Sequence, residues 1–481
     1  MQIGAVGITG LEPATSRPPD ACATNCAKSR FTKKEVLATD LSPFATAKVV
    51  VLFQLSKFYL YFCISFSDID HMFYSIAPPT VLNAKVLLPP SKSISNRVLV
   101  IGRQAGCIER LRNLSDCDDT SVMRRALELP SEITDIMAAG TAMRFLTAYY
   151  SAVPVSTVLT GTDRMRHRPI RPLVDALRSS GADISYAGNE GFPPLRIKGR
   201  QLKGGTVTMR GDVSSQYTSA LLMIGPLMKE GLRLKLTGNI VSRPYINMTV
   251  KLMTIFGADV KWMSHNELVV GTRTYRPVDF TVENDWSAAS YWYETLALSD
   301  DPNASVHMDG LNVDSIQGDA ELQRLFEPLG VETVVDGGGI TLRKSGADSN
   351  KYCMNMEKQP DLAQTVIVTC AMLERPFEIS GLQSLRIKET DRLKALRTEL
   401  KKFNIDIKES NGDTLSWNGR KTHVGATPAI NTYEDHRMAM SFAPCALKYP
   451  GIRINNPKVV SKSYPNFWED LRTAGFTVQN K

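Results

Sequence analysis

Cysteine pairs, histidine clusters and a glycine-rich phosphate loop are all missing from this chain. Its eight cysteines (Cys22, Cys26, Cys63, Cys107, Cys117, Cys353, Cys370 and Cys445) never fall in C-x-x-C spacing, and its six histidines are scattered. That excludes a zinc ribbon and a paired redox motif, and the expectation is reduced thiols with no metal and no cofactor. A Gly-x4-Gly-Lys frame is absent, which excludes a P-loop. The net charge is +8, yet no dense Lys/Arg block or basic–aromatic interleaving accompanies it. Small anionic substrates account for that excess better than nucleic acid. Long apolar runs are also scarce. Val49–Phe66 comes nearest to a membrane span, but Gln54 and Lys57 interrupt it, and a charge inside a span is costly. No membrane association is expected. What is expected is a soluble, cytoplasmic protein of 481 residues, long enough for two or more domains.

Residues 1–71 differ from the rest. The first 48 are rich in Thr, Ala, Pro and Lys without a period, and the sequence reads as a non-native or disordered extension preceding a true start at Met72. From Phe73 a strand is expected. Thereafter one pattern recurs: an amphipathic helix, a break at Gly or Asn, then an alternating strand. The breaks fall at Gly181, Gly257, Gly330, Asn404 and Gly475, a period of roughly 70–75 residues. Gly or Asn at such a position is the left-handed helix stop. A sixth, divergent copy is expected around Ser121–Leu129. The period indicates an α/β protein of repeated units.

The most unusual stretch is Leu88-Pro89-Pro90-Ser91-Lys92-Ser93-Ile94-Ser95-Asn96-Arg97. Its prolines force an extended approach, and Ser91 or Ser93 can cap the helix that follows. Lys92 and Arg97 suit an anion at that helix start. Taken alone, the segment reads equally well as a capped helix with two solvated cations. Later stretches add Ala139–Arg144 around Gly140, the four arginines of Gly161–Pro172, the hydroxyl and amide row Ser214-Ser215-Gln216, and Ser242-Arg243-Pro244-Tyr245. Gln359-Pro360-Asp361, Arg386-Ile387-Lys388-Glu389-Thr390-Asp391-Arg392, Asp435-His436-Arg437 and Ser461-Lys462-Ser463-Tyr464-Pro465 complete the set.

These motifs, in this order, resemble the 5-enolpyruvylshikimate-3-phosphate synthase family from about Met72 to the end. The resemblance implies a two-domain inside-out α/β barrel of six βαβαββ-like units, helices inside and sheets outside. One domain would span 91–283 and the other 72–90 plus 284–481. It also implies transfer of the enolpyruvyl group of phosphoenolpyruvate to shikimate 3-phosphate by a monomer. Carried over residue by residue, Lys92, Ser93, Arg97, Ser214, Ser215, Gln216, Ser242, Tyr245, Asp361 and Lys388 would meet shikimate 3-phosphate. Lys92, Gly140, Arg168, Gln216, Arg392, Arg437 and Lys462 would meet phosphoenolpyruvate. Asp361 would be the general base, Glu389 the group that moves the methylene proton, and Lys92 the aid to phosphate departure. His436 is expected to be a satisfied structural histidine. Ala138, Phe145 and Ser384 stand where the family usually has Asn, Pro and Asn, which marks the pocket wall as altered. The sibling transferase acting on a UDP-amino sugar uses a loop cysteine, and neither Cys107 nor Cys117 has that context. A catalytically dead ligand-binding protein fits poorly with Lys92, Asp361 and Glu389 all present.

Overall fold

Five backbone turns set the rhythm of the chain. Gly181, Gly257, Gly330, Asn404 and Gly475 all adopt positive φ, from 61° to 97°. At four of them the next residue closes the helix behind it. Ala182, Ala258, Ile405 and Phe476 donate N–H groups five residues back, to Leu177, Met253, Leu400 and Leu471, at 3.0–3.2 Å. That is the bond which ends a helix once its last residue turns left-handed. The computed structural model describes residues 72–421 and 427–480. The expectations for residues 1–71, including the Val49–Phe66 run, lie outside the described residues. Among the described residues no helix is long and apolar enough to cross a membrane.

The fold is mixed α/β. Five four-stranded sheets share one order, with a parallel pair followed by two antiparallel pairings. In one, Ile133–Asp135 runs parallel to Ser156–Thr160, which pairs antiparallel with Leu195–Lys198, itself antiparallel to Asp183–Tyr186. The last sheet is completed by the first strand. Phe73–Ala77 lies between Ile452–Asn455 and Thr477–Asn480, antiparallel to both. The divergent copy keeps its helix, Asp118–Glu128, but its sheet has only Leu111–Arg112 and Phe280–Thr281.

Strands alternate exposed and buried residues, as Leu232–Thr237 does at every position. The helices Gly140–Ala152, Ser215–Ile224, Trp286–Leu298, Ala363–Met372 and His436–Phe442 are instead buried on nearly every side. A helix apolar all round belongs in a core. There are two such cores, one drawn from Ile94 to Val282, the other from Ile76–Leu88 and Trp286–Val478.

The chain passes between the cores twice, and the two passages are hydrogen-bonded to each other. Ser91 N–H donates to the Glu283 carbonyl at 2.8 Å, and Asp285 N–H to the Pro89 carbonyl at 2.9 Å. The helix expected after Ser91 is Lys92–Ala105, but neither serine caps it: the Ser91 hydroxyl is buried without a partner. Asp285 takes over that work. Its Oδ2 accepts from Lys92 N–H at 3.4 Å while its Oδ1 caps its own helix at Ser287 N–H, 2.8 Å.

Within the second core, Ser290, Thr365 and Ser441 link three buried helices through their hydroxyls, at 3.2 and 3.3 Å. Glu294, one turn further on, is fully buried and neither carboxyl oxygen has a partner. Burial pushes its pKa well above the ordinary glutamate value. A raised folded-state pKa leaves stability intact below the unfolded value and erodes it as pH rises towards the folded value. The slope over that window is about 1.4 kcal/mol per pH unit. Glu294→Gln should therefore match the wild-type Tm near pH 4 and exceed it increasingly towards neutrality, as thermal melts across that range would record. A constant gap would contradict a buried, protonated Glu294.

Candidate active site

Basic side chains from both cores converge on one enclosed cleft. Seven cations (Lys92, Arg97, Arg144, Arg168, Lys388, Arg392 and Arg437) and three carboxylates (Asp119, Asp361 and Glu389) line it. The carboxylates sit between the cations, so the lining carries both signs of charge. Ser93, Gly140, Ser214, Ser215, Gln216, Ser242 and Tyr245 complete the wall. Lys462 stands apart from the rest. It lines an adjoining cavity of about 840 Å³ and reaches the cleft through Glu389, 3.8 Å away.

The second core supplies the carboxylates of the centre. Asp361 follows Pro360 in a short 3-10 turn, ahead of the buried helix Ala363–Met372. Its Oδ2 lies 3.1 Å from Arg437, and its Oδ1 3.5 Å from both Lys388 and Arg392. Burial would raise its pKa, but Arg437, Lys388, Arg392 and Lys92 outweigh burial and hold it well below the carboxylate range. The Arg386–Arg392 stretch divides its residues between outward ion pairs and the cleft. Arg386 pairs outward with Asp391 and Glu409, while Lys388, Glu389 and Arg392 turn inward.

Arg392 opens the helix Arg392–Lys401 and is 1% exposed. It holds Asp435 at 2.7 and 3.3 Å, Glu389 at 2.9 Å and Asp361 at 3.5 Å. Glu389 is further drawn by Arg168 at 3.7 Å and Lys462 at 3.8 Å. Burial opposes ionisation there too, yet Lys462, Arg392 and Arg168 keep Glu389 well below the usual range. Lys388 goes the other way: burial lowers its pKa despite Asp361.

The first core supplies cations with neutral partners. Arg97 is buried against Thr249 (2.7 Å), the Ser93 carbonyl (2.8 Å) and Ser219 (3.4 Å), with Phe145 beneath its guanidinium at 5.4 Å. Among the described residues no carboxylate pairs with it, and burial lowers its pKa to about 10. Arg144 is likewise brought to about 10, by burial and then by Arg168. Both are poised for an anion. Lys92 already has one: against burial, Asp119 at 3.2 Å, together with Cys117 and Glu389, raises its pKa. A Cβ at Gly140 would lie 2.5 Å from the Arg168 guanidinium, so a larger residue there would displace Arg168. Ser214 caps the helix Ser215–Ile224, and Gln216 donates to Thr141 at 3.2 Å. Ala138 lines the adjoining cavity and Ser384 the cleft.

His436 corrects an expectation. It is 1% exposed and lines the cleft, but neither ring nitrogen has a hydrogen-bond partner among the described residues. Burial, then Lys92 and Arg437, hold it neutral. Asp119 and Asp319 lie outside the stretches singled out in the sequence, and Arg144 and Asp435 lie inside them without an assigned role. Asp119 reads in sequence as one of two acids at a helix start. Asp319 is tied to Tyr245 at 2.7 Å and to Ser287, and burial with Asp361 lifts its pKa to about 6.

A family model described as EPSP synthase (3-phosphoshikimate 1-carboxyvinyltransferase) matches residues 125–471. A 3-phosphoshikimate 1-carboxyvinyltransferase of Bacteroides fragilis (strain YCH46) is 54% identical over 408 residues, covering 85% of this chain and 99% of that protein. One from Photobacterium damsela subsp. piscicida is 36% identical over 428 residues, covering 82% of this chain and 98% of that protein. Among solved structures, an EPSP synthase from Acinetobacter baumannii superposes with a TM-score of 0.67 at 22% identity, over 85% of this chain and 100% of that one. The enolpyruvyl transferase NikO from Streptomyces tendae gives 0.65 at 16% identity, over 85% and 99%.

The surplus of cations makes a simple expectation. Inorganic phosphate at about ten times its Kd should raise the Tm by roughly 1–3 °C, less so in Arg437→Ala. Chloride at matched ionic strength producing the same rise would contradict it.

Proposed function

The chain belongs to the EPSP synthase (3-phosphoshikimate 1-carboxyvinyltransferase) family, and on that premise we propose how its cleft carries the family's reaction. The enolpyruvyl group of phosphoenolpyruvate passes to the 5-hydroxyl of shikimate 3-phosphate, and phosphate leaves. The observation that carries this reading is the arrangement of Asp361 and Glu389, both bonded to Arg392 and ringed by cations from two cores. Ser214, Ser215, Gln216 and the uncompensated Arg97 form the wall for shikimate 3-phosphate, with Lys92, Ser93, Ser242, Tyr245 and Lys388. Lys92, Gly140, Arg168, Gln216, Arg392, Arg437 and Lys462 surround the donor.

In the first step Asp361 accepts the proton of the 5-hydroxyl as its oxygen attacks the central carbon of the donor. Glu389 delivers a proton to the methylene carbon, giving a tetrahedral intermediate that still carries phosphate. In the second step Glu389 takes a proton back from the new methyl group, and the phosphate departs beside Lys92 carrying the proton that Asp361 accepted. Glu389 thus enters and leaves as the acid and Asp361 as the carboxylate, so the protons balance.

Without substrate, Asp361 and Glu389 are too well paired for this work. Anionic groups of the donor would engage Arg437, Arg392, Arg168 and Lys462, and each cation so engaged attracts the carboxylates less. Both pKa values then climb towards the range where proton transfer is efficient. The substrates thus prepare their own acid and base. Arginine charge fixed in a desolvated cleft stabilises what develops on the phosphate.

The proposal extends to architecture. The core of 94–282 fits a domain of 91–283, the other core fits 72–90 plus 284–481, and buried helices under one-sided sheets fit the inside-out barrel.

Phosphate release from the two substrates is the direct assay. Asp361→Ala should lower kcat by about 10²–10⁴ while still binding shikimate 3-phosphate. Arg437→Ala should mainly raise the KM for phosphoenolpyruvate, because its phosphate is present before reaction. Near-normal turnover in Asp361→Ala would place the base elsewhere.

A further inference from the structure

We infer that Arg164 is a positioning residue that sets Lys388 and Glu389 in place when the two cores come together, an inference that rests on the function proposed above. Arg164 sits in the four-residue helix Asp163–Arg166, on the first core's side of the cleft. Its side chain is exposed, yet it reaches across to the second core. Nε donates to the Glu389 carbonyl at 2.9 Å and Nη2 to the Lys388 carbonyl at 3.2 Å. Among the described residues no other donor reaches either carbonyl. The receiving segment lacks regular structure of its own, since the 3-10 turn Gln383–Ile387 ends before it and the helix Arg392–Lys401 begins after it.

The bond geometry gives this contact its consequence. A planar guanidinium presents two N–H directions at a fixed angle, so it fixes the position and the rotation of the two carbonyls together. Those peptide units carry the side chains that meet Asp361 and Arg392. Arg168, four residues on, holds the Glu389 carboxylate at 3.7 Å. One loop of the first core thus grips Glu389 at both its backbone and its carboxylate. Other contacts between the cores, such as Asn239 to Glu357 at 2.7 Å and Ser461 to Asp118 at 2.5 Å, do not touch the catalytic segment. With Arg164 removed the cores can still meet, but Glu389 no longer arrives in register with the methylene carbon. Small misplacement of a reacting group costs rate more than binding.

The test is steady-state kinetics of phosphate release with both substrates for wild type, Arg164→Ala, Arg164→Lys and Arg166→Ala, with a thermal melt of each. Arg166 belongs to the same turn but bonds within its own loop, to the Gly161 carbonyl at 3.2 Å, and serves as control. Arg164→Ala should lose about 10–100-fold in kcat, with the KM for shikimate 3-phosphate changed less than threefold and the Tm unchanged. Arg164→Lys should recover only part of the loss, since a single ammonium cannot hold both carbonyls. Arg166→Ala should behave as wild type. An Arg164→Ala kcat within twofold of wild type would overturn the inference, as would full recovery by lysine or a parallel loss in Arg166→Ala. Absence of phosphate release in the wild type would instead overturn the proposed function itself.

Discussion

Arg392 is nearly without solvent contact, and its guanidinium is divided among Asp435, Glu389 and Asp361. Burying one cation with three carboxylates is costly unless further positive charge surrounds them. That requirement explains the crowding of Arg168, Lys388, Arg437 and Lys462 around the same point. Asp435 anchors the arrangement from behind, since it also caps the helix His436–Phe442 through the Arg437 N–H at 2.9 Å. The orientation of Arg392 and the start of the helix bearing Arg437 are therefore one structural decision. Taking away Asp435 would be expected to disturb both.

The two cores contribute unlike halves to this network. The second core brings cations already matched to carboxylates. The first also brings Arg97 and Arg144, whose buried charges meet hydroxyls, carbonyls, the Met165 sulfur and the Phe145 ring, with no carboxylate paired to them among the described residues. Charge of the second kind is uncompensated and gains most from an anion. The passage between cores, with Pro89–Ser91 hydrogen-bonded to Glu283–Asp285, lies directly beneath Lys92. The starts of the helices Lys92–Ala105 and Trp286–Leu298 are thus coupled through Asp285, whose carboxyl accepts from Lys92 N–H and Ser287 N–H.

The repeat is legible in the sequence because it depends on local chemistry. Gly181, Gly257, Gly330, Asn404 and Gly475 take the conformation that few other residues tolerate, so each helix end is written in one letter. The site motifs are legible for a similar reason, as clusters such as Arg386–Arg392 have few structural uses. What sequence spacing does not carry is distance. Asp119 meets Lys92 across 27 positions, and Arg164 meets Glu389 across 225. Nor does a cap motif say which residue will cap: Ser91 looked able to do it, and Asp285, brought in by the second passage of the chain, does it instead. His436 shows the converse error: a histidine read as satisfied faces the cleft with neither ring nitrogen partnered among the described residues.

The central claim is that Glu389, held charged by its cations until the substrates arrive, is the group that carries the methylene proton. Heavy water tests it directly. Incubated there with both substrates, the wild-type enzyme should place deuterium on the methylene carbon of recovered phosphoenolpyruvate and of the product. Glu389→Gln should still bind shikimate 3-phosphate but incorporate deuterium at least about 100-fold more slowly, because an amide cannot shuttle that proton. Incorporation at the wild-type rate in Glu389→Gln would contradict the account.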